Sequence, residues 1–341
     1  MVAAGIFLEF PAVSILIRVR GQLENMALET KTIANAKGFW LTRQYNRLSL
    51  KQRRTIMGYV FIMPFILGFL FWWLAPAVVA GQLTVHRWNL ISPPRFAGAF
   101  NFNRLLNDAI LAQSLKVTIV FSAISVPLGL VFAFFLANLI NAKFRFIAVF
   151  RTIYFLPSIV PAVANAILWA WLFNTEFGLI NYVIRAFGGP KIGWLQDPNW
   201  VMLAFVILTV WGVGGSMIIF LAGLQGIPQI FYEAAEIDGA GRWQRLLYVT
   251  LPMMSPIIFF NLVIGFINSF QVFVSALLIT NGGPQNATLF LVLYIFRTAF
   301  QSQKMGYAAV LSWLLFAILM VLSFIVFRYI GSRVYYENPG D

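Results

Sequence analysis

Long apolar stretches alternate with short polar ones along most of the chain. Six of the apolar stretches, at 57–80, 117–140, 152–173, 201–223, 257–280 and 307–327, have the roughly 20 residues that a helix needs to cross a bilayer core. A transmembrane barrel would instead alternate apolar and polar positions over about ten residues. The pattern therefore predicts an all-α membrane protein with six transmembrane helices. Between the fourth and fifth stretches lies a polar island, EAAEIDGAGRWQRLLYVTLP at 233–252. The chain divides accordingly into a basic N-terminal segment (1–56), a membrane domain (57–330) that contains the island loop 225–255, and a short tail (331–341).

Composition supports this class. Sixty per cent apolar residues, 10% charged residues and 35 phenylalanines leave too little charge to cover a soluble globule. The net charge of +13 is mostly a topology signal. Residues 1–56 hold Arg18, Arg20, Lys31, Lys37, Arg43, Arg47, Lys51, Arg53 and Arg54 against Glu9, Glu24 and Glu29, which places the N-terminus in the cytoplasm. Lys143, Arg145 and Arg151, the island with Arg242 and Arg245, and the tail with Arg328 and Arg333 then face the same side, so both termini are cytoplasmic. The outer connections 81–112, 174–200 and 281–306 also carry cations, so the island's placement rests on helix count as well as charge. No soluble basic face suited to nucleic acid is present.

Several chemistries are excluded. With no cysteine and a single histidine, His86, the chain has no thiol nucleophile, iron-sulfur site or histidine-rich metal cluster; His86 reads as a loop residue. No lysine follows a glycine, so the phosphate-binding pattern GxxxxGK is absent and the chain does not hydrolyse ATP by itself. No nucleophile, base and metal gather at one interface, which disfavours a membrane enzyme. Within the apolar stretches ionisable groups are nearly lacking, Lys116 and Arg151 lying at helix ends, so ion coupling is the weaker energy source.

Polar side chains group on the membrane helices. Asn261, Asn268, Gln271 and Ser275 fall within about 80° of one another at helical spacing, either as a translocation surface or as interhelical hydrogen bonds. Ser158, Pro161, Asn165 and Trp169 share a face of the third stretch. Trp169 could stack on a sugar ring, but for Trp169 and Trp171 an interfacial aromatic belt is the favoured reading. Gly212, Gly214 and Gly215 interrupt the fourth stretch, Pro157 and Pro161 the third, and Pro64 and Pro76 the first, which permits bending. Gly282, Gly283 and Pro284 mark a tight outer turn.

In the island, Pro228 opens a short helix carrying Glu233, Ala234, Ala235 and Glu236. Gly239 reverses the chain, and a second helix runs from about Arg242 to Tyr248, ended by Leu251, Pro252 and Pro256 before the fifth span. Leu246, Leu247 and Val249 are apolar beyond the needs of a solvated loop, although a connector packed on its own bundle would show them too.

The string Glu233-Ala234-Ala235, then Gly239, Val249 and Leu251-Pro252, resembles the EAA motif of permease subunits in binding-protein-dependent ABC importers, with Val249 where isoleucine is usual. LAGLQGIPQIFYEAA, TNGGP at 280–284 and MGYAAVLSW at 305–313 resemble the sugar branch, in particular the first membrane partner of the maltose, lactose and glycerol-phosphate systems. The likeness extends from about Arg54 to Tyr329. It implies the type I importer transmembrane-domain fold with a cytoplasmic coupling helix. A second homologous permease subunit, two ATPase subunits that hold ATP and magnesium, and an extracytoplasmic solute-binding protein would be its partners in a bacterial or archaeal cytoplasmic membrane. The chain itself would bind no cofactor.

Carried onto this sequence, Glu233 would anchor to basic groups of the ATPase, with Ala234, Ala235, Asp238, Leu251 and Pro252 in the same loop and Gly239 as the bend. The family's solute site involves the fifth helix, which favours Asn268, Gln271 and Ser275 as lining the path beside Asn165, Trp169 and Asn261. Six-carbon sugars, oligosaccharides and glycerol phosphates all fit as cargo. The competing class is a self-contained secondary transporter or channel. The apolar run from Gly5 to Ile17, broken by Glu9 and Pro11, is too short to span and lacks the basic region of a signal peptide; either Met26 is the true start or residues 1–25 form an interfacial segment.

Overall fold

A computed structural model of the chain describes residues 49–142, 145–329 and 331. The basic residues from Arg18 to Arg47, the run from Gly5 to Ile17, Met26, Lys143 and Arg333 lie outside the described residues. The chain separates into two units, Met1–Ala77 and Val78–Asp341.

Helix α1 (Leu50–Leu83) begins earlier than the apolar stretch suggests because Ser49 caps it. The Ser49 hydroxyl accepts from the Gln52 amide at 3.3 Å, and the Gln52 side chain accepts from the Ser49 amide at 3.0 Å. This reciprocal pair satisfies two otherwise orphaned donors of the first turn. The helix continues through Pro64 and widens into a π-helical turn at Leu70–Leu74.

In the second unit a two-residue hairpin pairs β1 (His86–Arg87) with β2 (Arg95–Phe96). Helix α2 (Phe100–Leu106) follows. Then comes α3 (Ala109–Asn141), a 33-residue post whose buried face reads Leu111, Ser114, Thr118, Phe121, Ser122, Ser125, Gly129, Ala133, Ala137 and Ile140. The small residues at helical spacing let neighbouring backbones come close, the usual solution where lipid supplies no hydrophobic drive between helices.

The third predicted span is two helices, α4 (Ile147–Ile159) and α5 (Ala162–Leu172), which meet at 99°. Pro161 causes the break: it has no amide to donate and holds Val160 in an extended conformation at ψ 129°. Helix α6 (Leu179–Ala186) follows. The fourth predicted span is likewise α7 (Pro198–Trp211) and α8 (Gly214–Gly226), bent by 45° at Gly212. There Gly214 lets α8 touch α4, since a β-carbon would lie 2.5 Å from the Tyr154 carbonyl oxygen. Next come α9 (Gln229–Ile237), α10 (Arg242–Phe270), a π-helical turn at Ala276–Thr280, α11 (Leu291–Gln301) and α12 (Met305–Tyr329). The six predicted spans thus correspond to four unbroken helices and two bent pairs.

The segment 281–306, expected as an outer connection, holds fully buried residues. Leu289, Phe290, Leu291 and Leu293 pack with Phe121, Phe205 and Tyr307, and the Leu291 amide donates to the Thr118 hydroxyl at 2.9 Å. The apolar run there is too short to cross a bilayer, so a span-length criterion assigns it to a loop. A second cluster, with Ala133, Ile140, Met217, Phe220 and Met254, fills the other half of the post.

Candidate functional site

Helix α9 starts after Pro228 and ends at Asp238. Gly239 then takes φ +77°, its amide donating to the Glu236 carbonyl at 3.0 Å while the Ala240 amide donates to Ala235 at 2.9 Å. Both bonds satisfy carbonyls that the helix end would orphan, and only glycine adopts this conformation without strain. If the loop has the coupling role that its resemblance to the EAA motif implies, Gly239→Pro is expected to abolish ATP-driven uptake while membrane insertion stays normal, because proline fixes φ near −65° and removes the donated amide. Gly239→Asn, which tolerates the left-handed conformation, should retain most uptake; equal uptake by the proline variant would contradict the assigned bend.

Across the turn, Gly241 caps α10 with the Gln244 side chain accepting from its amide at 2.7 Å. Arg245 reaches Glu236 at 3.6 Å, an exposed pair worth about 0–1 kcal/mol, and the Tyr232 and Thr250 hydroxyls lie 3.1 Å apart. Glu233, Ala234 and Asp238 are exposed and Ala235 is half-buried. Ile230, Ile237, Trp243, Leu247 and Tyr248 also present apolar surface outward, whereas Leu246 and Val249 are half-buried and Thr250 is buried.

The expected stop at Leu251 and Pro252 does not occur. Arg242 to Phe270 is one helix, with a π-helical turn at Leu246–Thr250 in which the Leu251 amide reaches back to the Leu246 carbonyl. The wider turn relieves the clash that the Pro252 ring would make with the carbonyl four residues earlier. Leu251 and Pro252 therefore join the island to the membrane rather than end its second helix.

The four-residue stripe is split. Helix α10 ends at Phe270 and Gln271 has φ −103°, so the helical rotation linking Asn268 to Ser275 is lost. Asn261 and Asn268 line a cavity of about 230 Å³ with Ser125, Thr209, Ser216 and Ser269. Gln271 and Ser275 join Asn165 around another of about 260 Å³. Asn261 is only 4% exposed and donates to its own helix, to the Ile257 carbonyl at 3.0 Å. The Asn268 and Gln271 side chains are exposed, and an amide at that depth requires water or protein rather than lipid. Ser125 Oγ is buried beside the first cavity without a partner, and the Ser269 hydroxyl donates to Ser122 at 2.8 Å, linking α10 to α3.

Trp169 corrects the belt reading. It is 6% exposed and packs 5.0 Å from Phe173 and edge-on to Trp211 at 6.0 Å, because the bend at Pro161 turns α5 inward. That bend also separates Ser158 from the face of Asn165 and Trp169. Trp171, half exposed, remains compatible with an interfacial position. His86 Nδ1 lies 2.7 Å from the Gln82 carbonyl oxygen, and among the described residues no group of three metal-binding side chains gathers.

One constellation escaped the sequence reading. Asp108 caps α3 with Oδ1, which accepts from the Ile110 and Leu111 amides, while Oδ2 accepts from the Tyr294 and Tyr307 hydroxyls at 2.5 Å each. This clamps α3, α11 and α12 together. Burial pushes the carboxyl's pKa up, but the two tyrosine bonds and the two amides together hold it below the ordinary 3.8. An aspartate before an apolar run signals a cap; nothing local announces tyrosines 186 and 199 residues away.

Asp108→Asn should cost about 2–4 kcal/mol, since the amide nitrogen that replaces one oxygen cannot accept either hydroxyl. With a depressed folded pKa, the clamp is complete above the ordinary value and is lost only as pH falls through the folded one. Thermal unfolding should therefore show a constant wild-type-to-variant gap from neutral pH to about pH 5, closing in stronger acid. A gap that already closes between neutral and pH 5 would contradict the clamp.

A family model described as binding-protein-dependent transport system inner membrane component matches residues 125–336. The probable ABC transporter permease protein YesP of Bacillus subtilis (strain 168) is 39% identical over 295 residues, covering 85% of this chain and 95% of that protein. The lactose transport system permease protein LacF of Rhizobium radiobacter is 35% identical over 289 residues, covering 83% and 96%. Among solved structures, a chain of a bacterial alginate ABC transporter in complex with alginate pentasaccharide-bound periplasmic protein superposes with a TM-score of 0.73 at 24% identity, over 83% of this chain and 96% of that one.

Proposed function

This chain belongs to the family of binding-protein-dependent transport system inner membrane components, and from that premise we propose that it carries a sugar or related polyol inward as one membrane subunit of an ATP-driven importer. A second homologous permease completes the path, and two ATPase subunits with their ATP and magnesium supply the energy. An extracytoplasmic binding protein delivers the solute. The subunit sits in a bacterial or archaeal cytoplasmic membrane with both termini inside. It is not an enzyme by itself.

The observation that carries this reading is the continuity of the island with the fifth span. An exposed helix bearing Glu233 is locked by Gly239 onto α10, which runs without a break to the Asn268 cavity. Displacement of α9 by a closing ATPase pair is transmitted along α10 as a rigid element, past the cavity beside the α7–α8 bend. Glu233 offers its charge to basic groups of the ATPase, and Ala234 and Ala235 permit close approach. Asn165, Asn268, Gln271 and Ser275 supply amides and hydroxyls that exchange hydrogen bonds with a polyhydroxylated solute as water does. The lactose specificity in the name of one relative supports the cargo class.

Affinity purification of the tagged chain from native membranes in mild detergent tests the assembly. Mass spectrometry should identify an ATPase and a second permease among the proteins retained. Recovery of the chain alone, with solute flux in liposomes that lack ATP, would instead establish a self-contained transporter.

A further inference from the structure

The geometry points to a binding site for the phosphate of an anionic phospholipid between the β1–β2 hairpin, α2 and the start of α12, an inference that rests on the topology proposed above. There a cavity of about 490 Å³ is lined by Arg87, Arg95, Arg104 and Lys304 with Trp88 and Tyr307, and by no acidic residue. None of the four cations makes an ion pair among the described residues. Two are held in place by aromatic faces: Arg87 lies 3.3 Å from the centre of the Phe100 ring and Arg104 lies 4.5 Å from that of Tyr307. Such stacking orients the guanidinium forks without neutralising them, leaving their donors for a ligand.

Position favours lipid over a soluble anion. The cavity is built from residues directly after α1 ends at Leu83 and around the start of α12 at Met305, which is the depth of the headgroups. Beside it the hairpin connection, β2 and α2 expose Ile91 (79%), Phe96 (76%), Phe102 and Leu106 (83%). Large apolar side chains clustered around a basic cavity suit an element lying in the interface, with acyl chains against the apolar residues and phosphate against the cations. Topology adds a reason to look for a ligand, because the positive-inside bias disfavours Arg and Lys in outer connections. The site would tether the hairpin and α2 to the membrane.

The test is lipid retention by the detergent-purified chain together with its co-purifying partners, measured by native mass spectrometry after delipidation and incubation with phosphatidylglycerol. The wild type should retain the lipid. The Arg95→Ala/Lys304→Ala double variant, whose two side chains are exposed and do not stack on a ring, should retain it roughly thirtyfold more weakly, the usual interfacial attraction of two cations. Arg95→Lys should stay near wild type. Equal retention by the double variant would overturn the proposal, and so would free glycerol phosphate displacing the lipid at equal concentration, which would assign the cavity to a soluble anion. Absence of an ATPase and a second permease from the purified material would count against the importer reading, whereas lipid retention is scored on the permease in either case.

Discussion

Glu233→Lys eliminates ATP-driven uptake by the reconstituted importer and leaves the permease folded in the membrane. Both halves of this expectation have a physical basis. Glu233 is exposed and makes no hydrogen bond or ion pair among the described residues, so replacing it removes nothing that holds α9, whose closure depends on Gly239 and Ala240. At an assembled interface, reversing one member of a hydrogen-bonded charge pair costs about 2–5 kcal/mol, which is at least a thirtyfold loss of affinity. Pull-down of the ATPase together with uptake in proteoliposomes reads the effect. Association and uptake close to wild type would remove Glu233 from the coupling contact. The neighbouring Glu236→Lys should lose only the weak surface pair with Arg245 from the chain's own stability.

Gly306→Ala, one methyl group, should destabilise the second unit by about 3 kcal/mol. A β-carbon there would lie 1.9 Å from the His86 carbonyl oxygen and 3.0 Å from Asn101 Nδ2. Both are fixed: the buried Asn101 amide donates to the Thr84 and His86 carbonyls at 2.8 and 2.9 Å, and the Met305 amide donates to Trp88 at 3.0 Å. Relief requires the hairpin to leave the first turn of α12, breaking those bonds. Gly215→Ala is the matched control, because nothing lies within 4 Å of its added carbon, and it should be neutral or slightly stabilising through helix propensity. A thermal-unfolding midpoint for Gly306→Ala equal to that of Gly215→Ala would show that the hairpin does not bear on α12.

The sequence reading succeeded where a residue's consequence is local. The length of the apolar stretches identified the spans; the helix start at Pro228 and the turn at Gly239 were legible because each acts within a few bonds of itself. It failed where a consequence depends on a distant neighbour. Counting spans by length gives no sign that the connection holding Leu289, Phe290, Leu291 and Leu293 packs into a buried cluster. Extrapolating one helical rotation from Asn261 to Ser275 assumed a helix that stops at Phe270. Trp169 reads as interfacial from its place near the outer end of the third stretch, whereas in the structure, beyond the 99° turn at Pro161, it is buried against Phe173 and Trp211.

By itself, then, the order of residues determined the class of solvent the chain lives in, the number of apolar passages and the chemistry of its exposed turn, since hydration, helix length and backbone conformation act on each residue where it stands. Only the tertiary structure decided that α10 runs unbroken from the island to the Asn268 cavity. It also decided that Asp108 holds Tyr294 and Tyr307, and that four cations from both ends of the second unit gather in one cavity. Those facts depend on how separate helices pack, and packing is set by the mutual fit of surfaces that lie far apart in the chain.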